Sequence, residues 1–184
     1  IMDVLVHAHR RGIVHRDLKP ANIFLHRGVG EHPTPKLLDF GMSKVLDPEW
    51  GRATQCGTIV GTPFYMSPEQ AEGASDQDAQ CDVWALGVVF HRCLSGKLPF
   101  VGDSPPTFLL SLVRDRAPKL TDVSDAPAPI GEVVDRALLA DRSERWPDVL
   151  TFLDALRDAC AQCGVPFPRL PSEDPMPAPA AFEP

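Results

Sequence analysis

Apolar residues recur at the helical period in several stretches of the chain. Ile1, Val4, Leu5 and Ala8 fall at i, i+3, i+4 and i+7, which predicts an amphipathic helix over residues 1–11 closed by Gly12. Ile23–His26 and Lys36–Leu38 are short β-prone runs on either side of the turn-rich Arg27–Pro35, which predicts a hairpin. From Gly41 to Pro68 no period holds, and a long loop is expected; such a loop in a compact chain usually serves function. Asp82–Leu94 is apolar on nearly every face and predicts a buried central helix ended by Gly96. Phe108–Arg116 predicts a shorter helix. Ile130, Val133, Val134, Ala137 and Leu138 form one further helical stripe. Val149, Leu153 and Leu156 form another, with Pro147 placed in its first turn. From Gly164 onward seven of 21 residues are Pro, the composition of a linker or disordered tail. The expected fold class is mainly α with a small β-hairpin.

Composition narrows the function classes. The chain has 184 residues, 43% of them hydrophobic, enough to build a core. Its net charge of −7 argues against nucleic acid or an anionic membrane face as the main partner, since both demand a basic surface. The longest apolar run, Val83–Phe90, is too short to span a bilayer. No charged segment followed by an apolar stretch opens the sequence, so no secretory signal is expected. Five cysteines, an odd count, read as reduced thiols of the cytoplasm, Cys160 and Cys163 included. The acidic residues at 122, 125, 132, 135 and 141 read as a solvated helical face. His7, His9, His26, His32 and His91 lack ligand spacing and read as surface or satisfied core histidines.

Candidate chemistry concentrates in two segments. His15-Arg16-Asp17-Leu18-Lys19-Pro20-Ala21-Asn22 lies between the first helix and the hairpin, and Asp39-Phe40-Gly41 follows the second strand. Together they supply two oxygen ligands suited to Mg²⁺, Asn22 and Asp39, a separate carboxylate, Asp17, and a cation, Lys19, two residues beyond it. Phosphoryl transfer asks for little more on this side of a site: metal ligands, a group that orients the attacking hydroxyl, and positive charge for the phosphate.

These segments resemble the protein kinase family, whose catalytic-loop pattern H-R-D-L-x-x-x-N and D-F-G triplet occur here in order. Gly61–Glu69 is similar to the end of the family's activation segment, with Ser-Pro-Glu in place of the usual Ala-Pro-Glu. Asp82-Val83-Trp84-Ala85-Leu86-Gly87 resembles the start of its buried central helix, and Leu98-Pro99-Phe100 follows in the expected place. The likeness covers roughly residues 1–160 and is nearest to the eukaryotic-like serine/threonine kinases of bacteria.

The resemblance implies a role for each matching position. Asp17 would be the catalytic base and Lys19 would contact the transferred phosphate of ATP. Asn22 and Asp39 would hold Mg²⁺. Phe24 would touch the adenine ring. Thr62 would hydrogen-bond near Asp17 and Lys19 and shape the substrate site. Lys19 and Thr62-Pro63 imply Ser/Thr acceptors on protein substrates. Arg16 would read a phosphate on the activation loop, carried by Thr58 or Thr54. His15 and Phe40 would pack together, with Gly41 completing the triplet. Asp82 would hold the catalytic-loop backbone through hydrogen bonds. Glu69 and Arg145 would form a buried structural ion pair. A dimer for trans-autophosphorylation is compatible with this reading. So is a cytoplasmic location, including the cytoplasmic part of a membrane-anchored protein.

Residues 1–160 are thus expected to be the C-terminal lobe portion of a kinase domain, with 161–184 as a proline-rich linker. The family's glycine-rich loop and strand lysine find no match. Lys19, Lys36, Lys44, Lys97 and Lys119 stand in other contexts, and Gly28-Val29-Gly30 sits in the hairpin turn. A serine/threonine kinase activity is therefore expected of a full-length parent, with little or none from these residues alone. A non-catalytic kinase-like binding module is the alternative.

Overall fold

The computed structural model describes residues 1–27, 33–40, 63–74 and 77–167. Gly41, Thr54, Thr58, Thr62, most of the expected long loop and the tail from 168 onward lie outside the described residues. Helix α1 spans Met2–His9 and buries Met2, Leu5 and Ala8, the stripe expected from its spacing. Gly12 follows with φ +74°, a left-handed conformation that glycine adopts without penalty. A 3₁₀ turn over Pro20–Asn22 leads into strand β1, Ile23–His26, which pairs antiparallel with β2, Thr34–Leu37. The second strand therefore starts earlier than the apolar run suggested. Pro35 stands opposite Leu25 in the ladder, a position open to proline because a two-stranded sheet has only edges.

After a 3₁₀ turn at Pro63–Tyr65 come α2 (Pro68–Ala71), α3 (Gln80–Ser95), α4 (Pro105–Arg114), α5 (Leu120–Val123), α6 (Ala128–Ala137) and α7 (Val149–Gln162). The central helix α3 buries Cys81 through Val88 without interruption, and Gly96 ends it at φ +72°. Trp84 is fully buried and stacks on Phe100 with centroids 5.4 Å apart. Helices α6 and α7 pack on α3, and α1 packs on α7. At the α3–α6 crossing a Cβ on Gly87 would stand 2.9 Å from Ala137 Cβ, so the backbones meet at that distance only because residue 87 has no side chain.

Two helix starts and the setting of one carboxylate differ from expectation. Helix α4 begins at Pro105, not Phe108, because Ser104 and Thr107 form a reciprocal capping box and proline is well placed in a first turn. Asp148, not Pro147, opens α7: its side chain accepts from Thr151 N, which leaves Pro147 outside the helix. Asp135 is not a solvated carboxylate. It is half-buried and accepts the Leu120 N–H at 3.0 Å, and burial pushes its carboxyl up from the ordinary aspartate value.

Candidate active site

The segment between α1 and β1 is held from below by one carboxylate. Asp82, in the first turn of α3, is fully buried. Its Oδ2 accepts the His15 N–H and its Oδ1 the Arg16 N–H, both at 2.8 Å. His9 Nε2 approaches the same Oδ2 at 2.7 Å, across 73 residues of sequence. Three donors thus converge on one buried acid, the condition under which a buried charge is tolerated. His9 belongs to this support although its spacing marked only an ordinary histidine; its contact is long-range, and no local pattern announces it.

Arg16 sits at φ +63°, a region few non-glycine residues occupy. Contacts on every side hold it there. Its N–H is taken by Asp82, its carbonyl accepts from Gln70 Nε2 at 2.8 Å, and its guanidinium donates to Gln77 O at 3.2 Å. The turn presents the next residue outward. Asp17 stands half-exposed, with Lys19 Nζ at 2.8 and 3.0 Å from its two carboxylate oxygens. Asn22 Nδ2 donates to the Asp17 carbonyl at 2.7 Å and to its Oδ2 at 3.2 Å. The amide nitrogen of Asn22 is therefore spent on Asp17, which leaves Oδ1 turned the other way as an oxygen donor.

The hairpin brings the second segment alongside. Leu38 N donates to Asn22 O at 2.9 Å, extending the ladder one step beyond Ile23 and Leu37. Asp39 follows directly, exposed and at φ +54°, so the ladder brings the backbones of the two segments side by side. His15 joins the segments from inside. Its Nδ1 accepts the Asp17 N–H at 3.3 Å, which leaves Nε2 to donate to Leu38 O at 3.0 Å, and its ring lies 5.2 Å from that of Phe40. Among the described residues no group of three or more His, Cys, Asp or Glu is placed to hold a metal. A single Asp with a single Asn suits a hard ion that keeps water and substrate oxygens in its remaining positions, as Mg²⁺ does.

Other expected positions lie apart. Phe24 is 53% exposed on β1, across from Lys36. Glu69 lies in α2, where Arg145 meets it bidentately at 2.8 and 3.2 Å and also donates to the Leu139, Gln80 and Ala140 carbonyls. Burial pushes the Glu69 carboxyl up, but the hydrogen bond and charge of Arg145, together with hydrogen bonds from the backbone and Ser67, outweigh it and hold the group below the ordinary glutamate value. Cys81 Sγ donates to Glu69 Oε1 at 3.5 Å, and burial pushes the Cys81 thiol up to about 12.

Comparison with known proteins agrees with this geometry. The model of the protein kinase domain matches residues 1–151. Serine/threonine-protein kinase Pkn1 of Myxococcus xanthus is 40% identical over 163 residues, which is 88% of this chain and 23% of that protein. Serine/threonine-protein kinase PknA of Mycobacterium tuberculosis is 37% identical over 95% of this chain and 38% of its own length. The chain thus spans well under half of these curated relatives. Among solved structures, the kinase domain of PknI from M. tuberculosis matches with a TM-score of 0.60 at 26% identity, over 86% of this chain and 51% of that one. Rad53 in complex with AMP-PNP matches with a TM-score of 0.64 at 24% identity, over 84% of this chain and 37% of that one, a likeness of fold alone. With a matched domain over residues 1–151 and bacterial relatives at this identity, the chain belongs to the protein kinase family, among the eukaryotic-like serine/threonine kinases of bacteria.

Proposed function

We propose that residues 1–160 form the C-terminal lobe of a serine/threonine protein kinase, and that the full-length protein transfers the γ-phosphoryl group of ATP to Ser or Thr of protein substrates. The observation that carries this reading is the cluster of Asp17, Lys19 and Asn22 on a loop whose backbone is anchored by Asp82. Asp17 accepts the proton of the acceptor hydroxyl. Its outward position, fixed by the Arg16 turn and by Asn22, aims one carboxylate at an incoming chain. Lys19 exchanges its bond to Asp17 for the transferred phosphate, keeping positive charge where negative charge builds. Asn22 Oδ1 and the Asp39 carboxylate hold Mg²⁺, which when bound neutralises phosphate charge. Phe24 offers an exposed aromatic surface to the adenine, and Thr62 shapes the acceptor side. Arg16, already bonded to Gln77 O through its guanidinium, is the arginine that reads a phosphate on Thr58 or Thr54.

The glycine-rich loop and strand lysine that cover ATP from the other side have no counterpart in these 184 residues, so the activity is assigned to the full-length protein. The cytoplasm is the compartment that fits ATP and the free thiols of Cys81, Cys93, Cys160 and Cys163. Among the described residues no helix is long and apolar enough to cross a membrane. Phosphoamino-acid analysis after incubation of the full-length protein with ATP, Mg²⁺ and a general protein acceptor tests the reading. Phosphoserine or phosphothreonine is expected; phosphotyrosine alone, or no transfer, would overturn it.

A further inference from the structure

One side chain of α2 serves its own helix and the catalytic loop at once. Gln70 is the third residue of α2 and closes the capping box that Ser67 opens. Its Oε1 accepts the Ser67 N–H at 3.1 Å and the Ser67 hydroxyl at 3.3 Å. Its Nε2 donates to Arg16 O at 2.8 Å, across 54 residues of sequence. A backbone N–H only donates and a carbonyl only accepts, so these two partners fix which way the amide points. Glu closes a capping box as well as Gln does. Of the two, only Gln closes the box and still has a donor for the Arg16 carbonyl.

That carbonyl shares a rigid peptide plane with the Asp17 N–H. The N–H end of the plane donates to His15 Nδ1 at 3.3 Å, which is long for a nitrogen donor, so the 2.8 Å bond from Gln70 is the firmer hold on it. The plane before it is held through the Arg16 N–H by Asp82, and the plane after it through the Asp17 carbonyl by Asn22 at 2.7 Å. Arg16 thus makes its left-handed turn, φ +63°, between one plane tied to α3 and one tied to α2. Helix α2 is itself pinned by the neighbouring residue, Glu69, in its buried pair with Arg145.

We propose that Gln70 is a positioning residue for phosphoryl transfer: through its bond to Arg16 O it sets the peptide plane that leads into Asp17, and so relays the placement of α2 to the base. The proposal rests on the kinase reading above and adds a control of that site, since a shift of α2 against the loop reaches Asp17 through this one amide. Gln70 touches no reacting atom, and its effect runs entirely through the aim of the carboxylate.

The test is single-turnover transfer from ATP to a Ser peptide by the full-length protein, where the rate constant reports the geometry of the site and the amplitude reports the fraction of folded enzyme. Gln70→Glu keeps the cap and removes the donor, and Gln70→Met removes the donor without adding charge. Each should lower the rate constant by about 10-fold with the amplitude retained. With Asp17→Asn already in place neither should lower it further, because effects relayed through one residue do not add. Ser67→Ala, which removes the capping hydroxyl and leaves the Arg16 bond, should lower the thermal midpoint and leave the rate constant alone. Should one Gln70 variant fail to fold, the other decides. A wild-type rate constant in the folded variants, a loss in Gln70→Glu alone, or a fall in amplitude at unchanged rate overturns the inference while the kinase reading stands. An equal loss of rate in Ser67→Ala, or a further loss on top of Asp17→Asn, overturns it as well. Absence of any transfer that depends on Asp17 overturns both.

Discussion

Asp82 touches no reacting atom in the proposed chemistry, yet the site's order depends on it. It takes three donors, and two of them are the backbone N–H groups just before Asp17. His9 and Gln70 were not legible as supports of this loop, since they act through partners 73 and 54 residues away and sequence periodicity reports only neighbours. Asp17, Lys19 and Asn22 stand close together in the sequence, and the structure joins them by hydrogen bonds within one short loop. The Glu69–Arg145 pair yields a prediction at this scale. Arg145→Met should cost about 3–5 kcal/mol near neutral pH, because it strands a buried carboxylate. The pH dependence separates this from simple loss of packing. In the wild type Glu69 lies below its ordinary value of 4.5, so its contribution is present above that pH and is lost as pH falls through the lower folded value. In the variant the lowering by Arg145 is gone and burial, the largest single influence, is opposed only by hydrogen bonds from the backbone and Ser67; Glu69 therefore shifts upward relative to the wild type, and acidification should neutralise it and shrink the deficit. Urea unfolding of both proteins at pH 7 and pH 5 checks this; a deficit equal at the two pH values would contradict it.

Among the elements, α3 was the most legible. Its apolar run and Gly96 placed it at 82–94, against an observed Gln80–Ser95. The hairpin was found, but its second strand was displaced because Pro35 reads as a turn residue, while an edge ladder admits it. Helices α4 and α7 were misplaced at their starts for a related reason: Pro105, Pro106 and Pro147 resemble breakers or first-turn residues until the caps at Ser104 and Asp148 are seen. No apolar pattern could reveal the close approach of α3 and α6, which turns on what Gly87 lacks. Gly87→Val should lower stability by about 2–3 kcal/mol despite the better helix propensity of valine, since the new atoms meet Ala137 Cβ and the Leu138 side chain within 3.2 Å. Chemical denaturation of the full-length protein measures it, and an unchanged midpoint would contradict so tight a crossing.

At the scale of the molecule, residues far apart in sequence meet on one helix. The α3 start anchors the loop that carries Asp17, and the Glu69 pair lies beside it through Cys81 and the Gln80 carbonyl. Helix α3, buried without interruption from Cys81 through Val88, is thus the frame on which the Asp17 loop and the Glu69–Arg145 pair are spaced. The central claim is that Asp17, exposed on that frame, accepts the proton of the acceptor hydroxyl. Its most direct test is the single-turnover rate of phosphoryl transfer from ATP to a Ser peptide by the full-length protein and its Asp17→Asn variant, with circular dichroism on both. Asparagine retains the size of the side chain and its exposed position while removing the basic oxygen. The account predicts an unchanged dichroism spectrum and a rate lower by about 100-fold or more. A variant that transfers at the wild-type rate would contradict it.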